Sequence, residues 1–195
     1  EHNLYKINIA LNNQQQYTKK DIEIIPVLGS ITNERRVTEI IEKFKINTIY
    51  HAAAYKHVNL IESNISEGIR TNIFGTYNVA QAAFDLEVEN FILISTDKAV
   101  RPTSAMGATK RICELIVQGL SLKQDEKNSG QRILTRFIIV RFGNVLGSSG
   151  SIIPLPSISI LKVLEQYCAF AYEVDPTDTI NLDFLSESNH EVFFI

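Results

Sequence analysis

Ser95, Thr96, Asp97 and Lys98 are consecutive and follow directly on the apolar run Phe91, Ile92, Leu93, Ile94. A hydroxyl, a carboxyl and an amine at a strand terminus can all face one substrate, and the acid and the base tune each other's pKa. That set suits general acid–base chemistry. Taken alone it reads equally well as a solvated turn, where Asp is favoured.

Three further groups have chemical potential. Met106 and Lys110 lie four apart, so on a helix they share a face. Met cannot transfer a proton, and by itself the pair reads as a core Met beside a surface Lys. His51 is followed by Ala52, Ala53 and Ala54, small residues that admit a flat ring or a phosphate to the backbone. A packed strand end explains them as well. Arg141-Phe142-Gly143-Asn144-Val145 runs into Gly147-Ser148-Ser149-Gly150-Ser151, whose backbone N–H groups suit a pyrophosphate. A dinucleotide loop opens a helix, and Pro154 and Pro156 follow too soon, so a substrate loop is the better reading.

The elements around these groups alternate. Residues 22–28 (IEIIPVL) read as a buried strand ending at Gly29, and residues 46–51 (INTIYH), 91–95 (FILIS) and 134–142 (LTRFIIVRF) as further strands. Between them, Thr32 reads as an N-cap ahead of Val37, Ile40, Ile41 and Phe44 at helical spacing. Residues 66–86 carry a stripe of Ile69, Ile73, Tyr77, Ala80 and Phe84. Residues 105–120 carry Ile112, Leu115, Ile116 and Gly119 on one side. Residues 123–131 read as a surface loop, and residues 4–11 as a helix before the first strand. This order predicts an α/β doubly wound parallel sheet covered on both faces. Ligands of such sheets bind beyond the carboxyl ends of the strands, where all four groups fall. After Pro156 residues 158–164 read as a helix, and residues 167–195 show no clear period.

Composition bounds the rest. The chain has 195 residues, 45% of them hydrophobic and 21% charged, which suits one soluble globular domain and excludes a disordered or fibrous chain. The net charge of −3 offers no electrostatic footprint for nucleic acid or an anionic membrane. Cys113, Cys168 and four histidines show no disulfide framework and no metal-ligand spacing. No apolar run is long enough for a membrane helix. The nine glycines include no G-x-G, so a complete Rossmann fingerprint is absent. The single methionine is Met106, so the chain is expected to begin inside a longer sequence.

Four segments in this order resemble the extended short-chain dehydrogenase/reductase superfamily, and within it the polysaccharide-biosynthesis nucleotide-sugar 4,6-dehydratases. They are YHAAAYKHV (50–58), TNIFGTYNVAQAA (71–83), FILISTDKAVRPTSAMGATKR (91–111) and VRFGNVLGSSGSIIPL (140–155), within a match from about Asn3 to Leu155. The resemblance implies a Rossmann-like NAD-binding and catalytic domain over residues 1–155 and a divergent tail over 156–195. It implies that a UDP-linked N-acetylhexosamine is oxidised at carbon 4 with NAD, loses water across carbons 5 and 6, and regains hydride at carbon 6.

Under the same resemblance Lys98 and Asp97 are base and acid, Thr96 bonds the carbon-4 oxygen, and Lys110 holds the nicotinamide ribose. Gly29, Ser30, Ile31, Ala52, Ala53 and Ala54 border the cofactor, and Asn72 anchors the strand beside it. Lys56, His57, Asn144, Ser149 and Gly150 are the expected substrate contacts. Many relatives carry Tyr where this chain has Met106. Larger members with an amino-terminal membrane region commonly carry Met, so a cytoplasmic domain at the inner face of a bacterial membrane is implied, as is a homo-oligomer. The family's first strand and Gly-rich loop are expected before Glu1, Ser30 stands where Asp is usual, and the sugar-nucleotide domain expected after Leu155 does not follow. An epimerase or ketoreductase of the same superfamily, or a non-catalytic remnant, are the rival expectations.

Overall fold

The computed structural model describes residues 2–18, 23–128, 135–143, 171–172 and 192–194. They fall into two units, Glu1–Ser30 and Ile31–Ile195.

In the first unit the only regular element among the described residues is helix α1 (His2–Thr18), longer than the stretch expected from the sequence. The strand expected over residues 22–28 is not formed: residues 23–28 are irregular, with Ile25 48% and Leu28 59% exposed. An apolar run becomes a strand only when another backbone completes its ladder. Among the described residues none pairs with this one, and Pro26 has no N–H to give.

The second unit opens with α2 (Glu34–Phe44), capped by Asn33 rather than Thr32: the Asn33 side chain accepts the Arg36 N–H at 3.1 Å. Strand β1 (Thr48–His51) follows, then the short helices α3 (Val58–Glu62) and α4 (Ile65–Gly68). A π-helical turn over Ile69–Phe74 leads into α5 (Gly75–Asp85). After β2 (Asn90–Thr96) come a 3₁₀ turn over Asp97–Ala99, α6 (Ala105–Asn128) and β3 (Arg136–Phe142). Short strands β4 (Ala171–Tyr172) and β5 (Val192–Phe194) complete a sheet of order β4-β3-β2-β1-β5. All its pairs are parallel except β3 with β4.

Both sheet faces are covered, as parallel pairing demands. Ile49, His51, Phe91, Leu93 and Ser95 are buried on one face. Tyr50, Ile92, Val140 and Phe142 cluster on the other. Burying each large apolar chain contributes roughly 1.5–3 kcal/mol.

The helices turn largely different sides inward from those expected, although Ala80 of the expected stripe is fully buried. On α6 the buried residues include Lys110, Cys113, Glu114, Val117 and Gln124, while Ile112 and Leu115 are exposed. On the π turn and α5, Asn72, Thr76, Val79 and Ala83 are buried, and Ile69 and Tyr77 are exposed. Small and hydrogen-bonded side chains let these helices lie close to the sheet. Helix α6 also extends into the expected loop as far as Asn128, and the Gln124 side chain pairs with both the N–H and the carbonyl of Thr135, at 2.9 and 3.0 Å. No helix among the described residues is long and apolar enough to cross a membrane.

Candidate active site

Strand β2 delivers Thr96, Asp97 and Lys98 as one unit. Thr96 is still extended, and its hydroxyl oxygen accepts the Lys98 N–H at 3.3 Å, capping the 3₁₀ turn. The same hydroxyl donates to Asp97 Oδ1 at 2.9 Å, and Lys98 Nζ donates to that oxygen at 3.1 Å. Burial works to raise the Asp97 carboxyl, but the bonds from Thr96 and Lys98 and the Lys98 charge outweigh it, so its pKa lies below the ordinary value. Both charged side chains stay accessible, Lys98 at 41% and Asp97 at 57%. A hydroxyl, an ionised carboxylate and an amine are thus assembled where a substrate can reach them.

Helix α6 fixes this turn from one side. Ser104 caps it by accepting the Gly107 N–H, and Glu62 of α3 accepts the Ala105 N–H at 2.6 Å. At Gly107 a Cβ would collide with the Lys98 carbonyl oxygen, so glycine lets the helix touch the turn's backbone. Met106 is buried. Lys110, one turn on, donates from Nζ to the Ile94 carbonyl at 2.7 Å. Burial lowers its pKa, against the pull of Cys113 and Glu114.

At the end of β1, Ala52 is exposed and Ala53 and Ala54 are half-buried, leaving a ledge without long side chains. Asn72 fixes the chain beyond it. Its Oδ1 accepts the Tyr55 N–H at 2.7 Å, and its Nδ2 donates to the Tyr55 carbonyl and to Thr109 Oγ1, each at 3.0 Å. The Cys113 thiol, whose pKa is raised by burial, donates to the Asn72 carbonyl. Lys56 and His57 are exposed and line a cleft of about 280 Å³ with Leu60, Asn64 and Glu67; Thr96, Asp97 and Lys98 do not line it. Gly29 and Ser30 are exposed, whereas Ile31 is buried and its carbonyl accepts from Asn78 at 3.0 Å. Asn144, Ser149 and Gly150 lie outside the described residues. Gly143, just before them, is described: a Cβ there would lie 3.9 Å from Asp97 Oδ2, so β3 ends beside the carboxylate.

The sequence reading missed the hub beneath the turn. The Glu114 side chain is fully buried and accepts four bonds. Ser95 Oγ donates to Oε1 at 2.6 Å, Arg141 Nε to Oε1 at 2.8 Å, Arg141 Nη2 to Oε2 at 2.7 Å, and Arg111 Nη1 to Oε2 at 2.9 Å. Burial raises its pKa, but the bonds from Arg141, Ser95 and Arg111 prevail and lower it. The one available signal was position: Glu114 stands four residues after Lys110. His51, which the sequence marks only as the residue ahead of the three alanines, has its Nε2 2.8 Å from Thr76 Oγ1 and its Nδ1 buried without a described protein partner. Burial, then the Lys110 charge, lower its pKa to about 3, so the ring is neutral. No group of three His, Cys, Asp or Glu among the described residues could hold a metal ion.

Residues 1–162 match the family described as polysaccharide biosynthesis protein. The chain is 49% identical over 155 residues to the capsular polysaccharide biosynthesis protein CapD of Staphylococcus aureus, covering 80% of this chain and 24% of that protein. It is 38% identical over 128 residues to a UDP-glucose 4-epimerase of Rickettsia rickettsii, covering 66% of this chain and 35% of that one. It is 36% identical over 127 residues to the inverting UDP-N-acetylglucosamine 4,6-dehydratase of Campylobacter jejuni, covering 65% and 36%. The chain therefore spans about a quarter to a third of the length of these relatives. With this match over residues 1–162 and its parallel sheet ending in the Thr96-Asp97-Lys98 turn, the chain belongs to the polysaccharide biosynthesis protein family.

Proposed function

We propose that this chain carries the acid–base centre of an NAD-dependent nucleotide-sugar 4,6-dehydratase acting on a UDP-linked N-acetylhexosamine. The observation that carries the reading is the turn itself: Thr96 and Lys98 both bonded to one oxygen of an accessible Asp97 at the carboxyl end of a parallel strand.

The residues present fit the nicotinamide end of a dinucleotide. Ala52, Ala53 and Ala54 leave the β1 end open to a flat ring, and an ammonium has three donors, of which Ile94 takes one from Lys110. Ala52, Ala53, Ala54 and Lys110 would hold the group, with Asn72 keeping the ledge in place. When bound, it would supply the hydride acceptor at sugar carbon 4 and the hydride donor at carbon 6.

The chain's own residues then handle the protons. Met106 cannot take the carbon-4 hydroxyl proton, whereas Asp97 is ionised and Thr96 already donates to it. The proton passes through the Thr96 hydroxyl to Asp97. Lys98 removes the carbon-5 proton made acidic by the new ketone. Asp97 returns its proton to the carbon-6 oxygen, which leaves as water, and Lys98 reprotonates carbon 5. The carboxylate is thus base first and acid second, which reconciles its lowered pKa with the acid role.

A second reading, 4-epimerisation, has the Rickettsia relative behind it. Incubating the protein with NAD and UDP-N-acetylglucosamine or UDP-glucose, followed by proton NMR, separates the two. A new carbon-6 methyl doublet supports the dehydratase. A carbon-4 epimer that keeps its carbon-6 hydroxyl supports the epimerase, and neither product overturns both.

A further inference from the structure

The Thr96-Asp97-Lys98 turn hangs from two residues of β2, and both are held by α6. Lys110 bonds the Ile94 carbonyl, and one helical turn later Glu114 bonds the Ser95 hydroxyl. Arg141 stands directly across the ladder from Ser95 on β3 and grips the same carboxylate with two parallel bonds. Glu114 thus joins three elements at the one level of the sheet where the chain leaves β2 for the turn. A carboxylate has about four acceptor positions, and all four are taken. A solvated glutamate on a helix would need none of this, and its full burial is tolerable only because each position is filled.

We propose that Glu114 is a positioning residue for the turn: by tying Ser95 and Arg141 to α6, it sets where Asp97 and Lys98 stand relative to Lys110. It touches no reacting atom. Its effect passes through Ser95, the covalent neighbour of Thr96, and through Arg141, which fixes the end of β3 beside Asp97. The consequence for turnover rests on the dehydratase or epimerase reading; the positioning itself does not.

Two measurements on the same variants keep these apart. Ser95→Ala removes one bond and leaves Glu114 its two arginines, so the protein still folds. Glu114→Gln removes the charge. Arg111→Gln removes only the bond made within α6. Amide hydrogen exchange read by mass spectrometry is expected to quicken by at least about tenfold at residues 96–98 in Ser95→Ala and Glu114→Gln, with α2 and β1 unchanged. Arg111→Gln is expected to stay within about threefold of wild type. In steady-state assays with the active nucleotide sugar, kcat is expected to fall about 10–100-fold in the first two variants with KM within about threefold, the mark of misplaced catalytic groups. Unchanged exchange at residues 96–98 overturns the proposal. So does exchange that quickens equally throughout the second unit, which would make Glu114 a general support. If exchange quickens locally but wild type turns over neither nucleotide sugar, the reaction assigned above falls and the positioning role stands.

Discussion

The Lys110 ammonium is buried and donates to the Ile94 carbonyl oxygen at 2.7 Å, two residues before the Thr96-Asp97-Lys98 turn begins. A lysine is a costly way to satisfy one carbonyl. Desolvation holds its pKa below the ordinary 10.5. Between the folded and unfolded values the unfolded chain binds more protons, so this group makes stability rise with pH across that window. Lys110→Met loses one hydrogen bond of about 1 kcal/mol and removes the buried charge, a change that is often neutral or stabilising. Thermal unfolding is expected to show Tm lowered by no more than about 2 °C, with the alkaline rise in stability gone. Turnover is expected to fall by at least about tenfold, because the ammonium proposed to hold the nicotinamide ribose is lost. A Tm loss well beyond this would make Lys110 a structural residue first.

Gly107 and Gly119 lie on the same helix and should respond oppositely to alanine. At Gly107 the added Cβ meets backbone, the Lys98 carbonyl, which cannot swing away. Gly107→Ala is expected to cost about 1–3 kcal/mol by overpacking and to reduce turnover by moving Lys98. At Gly119 nothing lies within 4 Å of the added Cβ, so Gly119→Ala is expected to stabilise by about 0.5–1 kcal/mol through helix propensity. Urea unfolding of the two variants checks both signs.

Lys98→Ala tests the proposed base directly. In deuterated water the wild type is expected to place solvent deuterium at sugar carbon 5 during turnover, and the variant is expected to place none. Retained exchange would pass the role to another group. The fold should be nearly indifferent, since the Lys98 side chain is 41% exposed and its ion pair with Asp97 is a surface one.

The elements around this site differ in how far the sequence betrays them. Strand β2 is legible because five apolar and small residues run to a polar stop, and α6 because its residues repeat at helical spacing. Residues 22–28 have the same apolar character as β2, yet the described residues 23–28 form no strand, because pairing depends on a distant partner that no local pattern reports. The side α6 buries is misread for a related reason. Periodicity ranks Ile112 and Leu115 as core, yet the sheet takes Lys110, Glu114 and Gln124, each with its partner on a strand or at its edge. Glu114 could not be read as a hub from its neighbours on α6, since Ser95 and Arg141 come from two other elements. Asn72 sits in a π turn, a shift in hydrogen-bond register that leaves side-chain types unchanged.

Breaking the Glu114–Arg141 pair should hurt more than deleting it. Arg141→Met leaves a buried carboxylate short of two charged donors, which costs about 3–5 kcal/mol in full burial. With the Arg141 side chain 27% exposed, roughly 2–4 kcal/mol is expected. The double variant Glu114→Leu/Arg141→Met removes both charges and is expected to recover at least about 1 kcal/mol over the sum of the single effects. Turnover is not expected to return with it, because Ser95 still lacks its acceptor. Additive stabilities in the double-mutant cycle would show that the two side chains do not act as a pair.

His51 carries the clearest pH signature. Its ring is fully buried at the end of β1, stacked at a tilt 5.9 Å from Phe91, and must stay neutral to remain there. Burial, aided by the Lys110 charge, takes its pKa from 6.5 to about 3. Between those values the unfolded chain binds a proton that the folded one refuses, so stability is complete above the unfolded value and is lost as pH falls toward the folded one. At about 1.4 kcal/mol per pH unit the loss amounts to several kcal/mol. His51→Gln cannot titrate and is expected to be less stable at neutral pH, where the imidazole–Thr76 contact is gone. Its stability is also expected to fall less steeply on acidification. Urea unfolding at about pH 7 and about pH 4 measures the difference. If the variant loses as much stability as wild type between the two, the acid sensitivity belongs to other groups and His51 does not govern it.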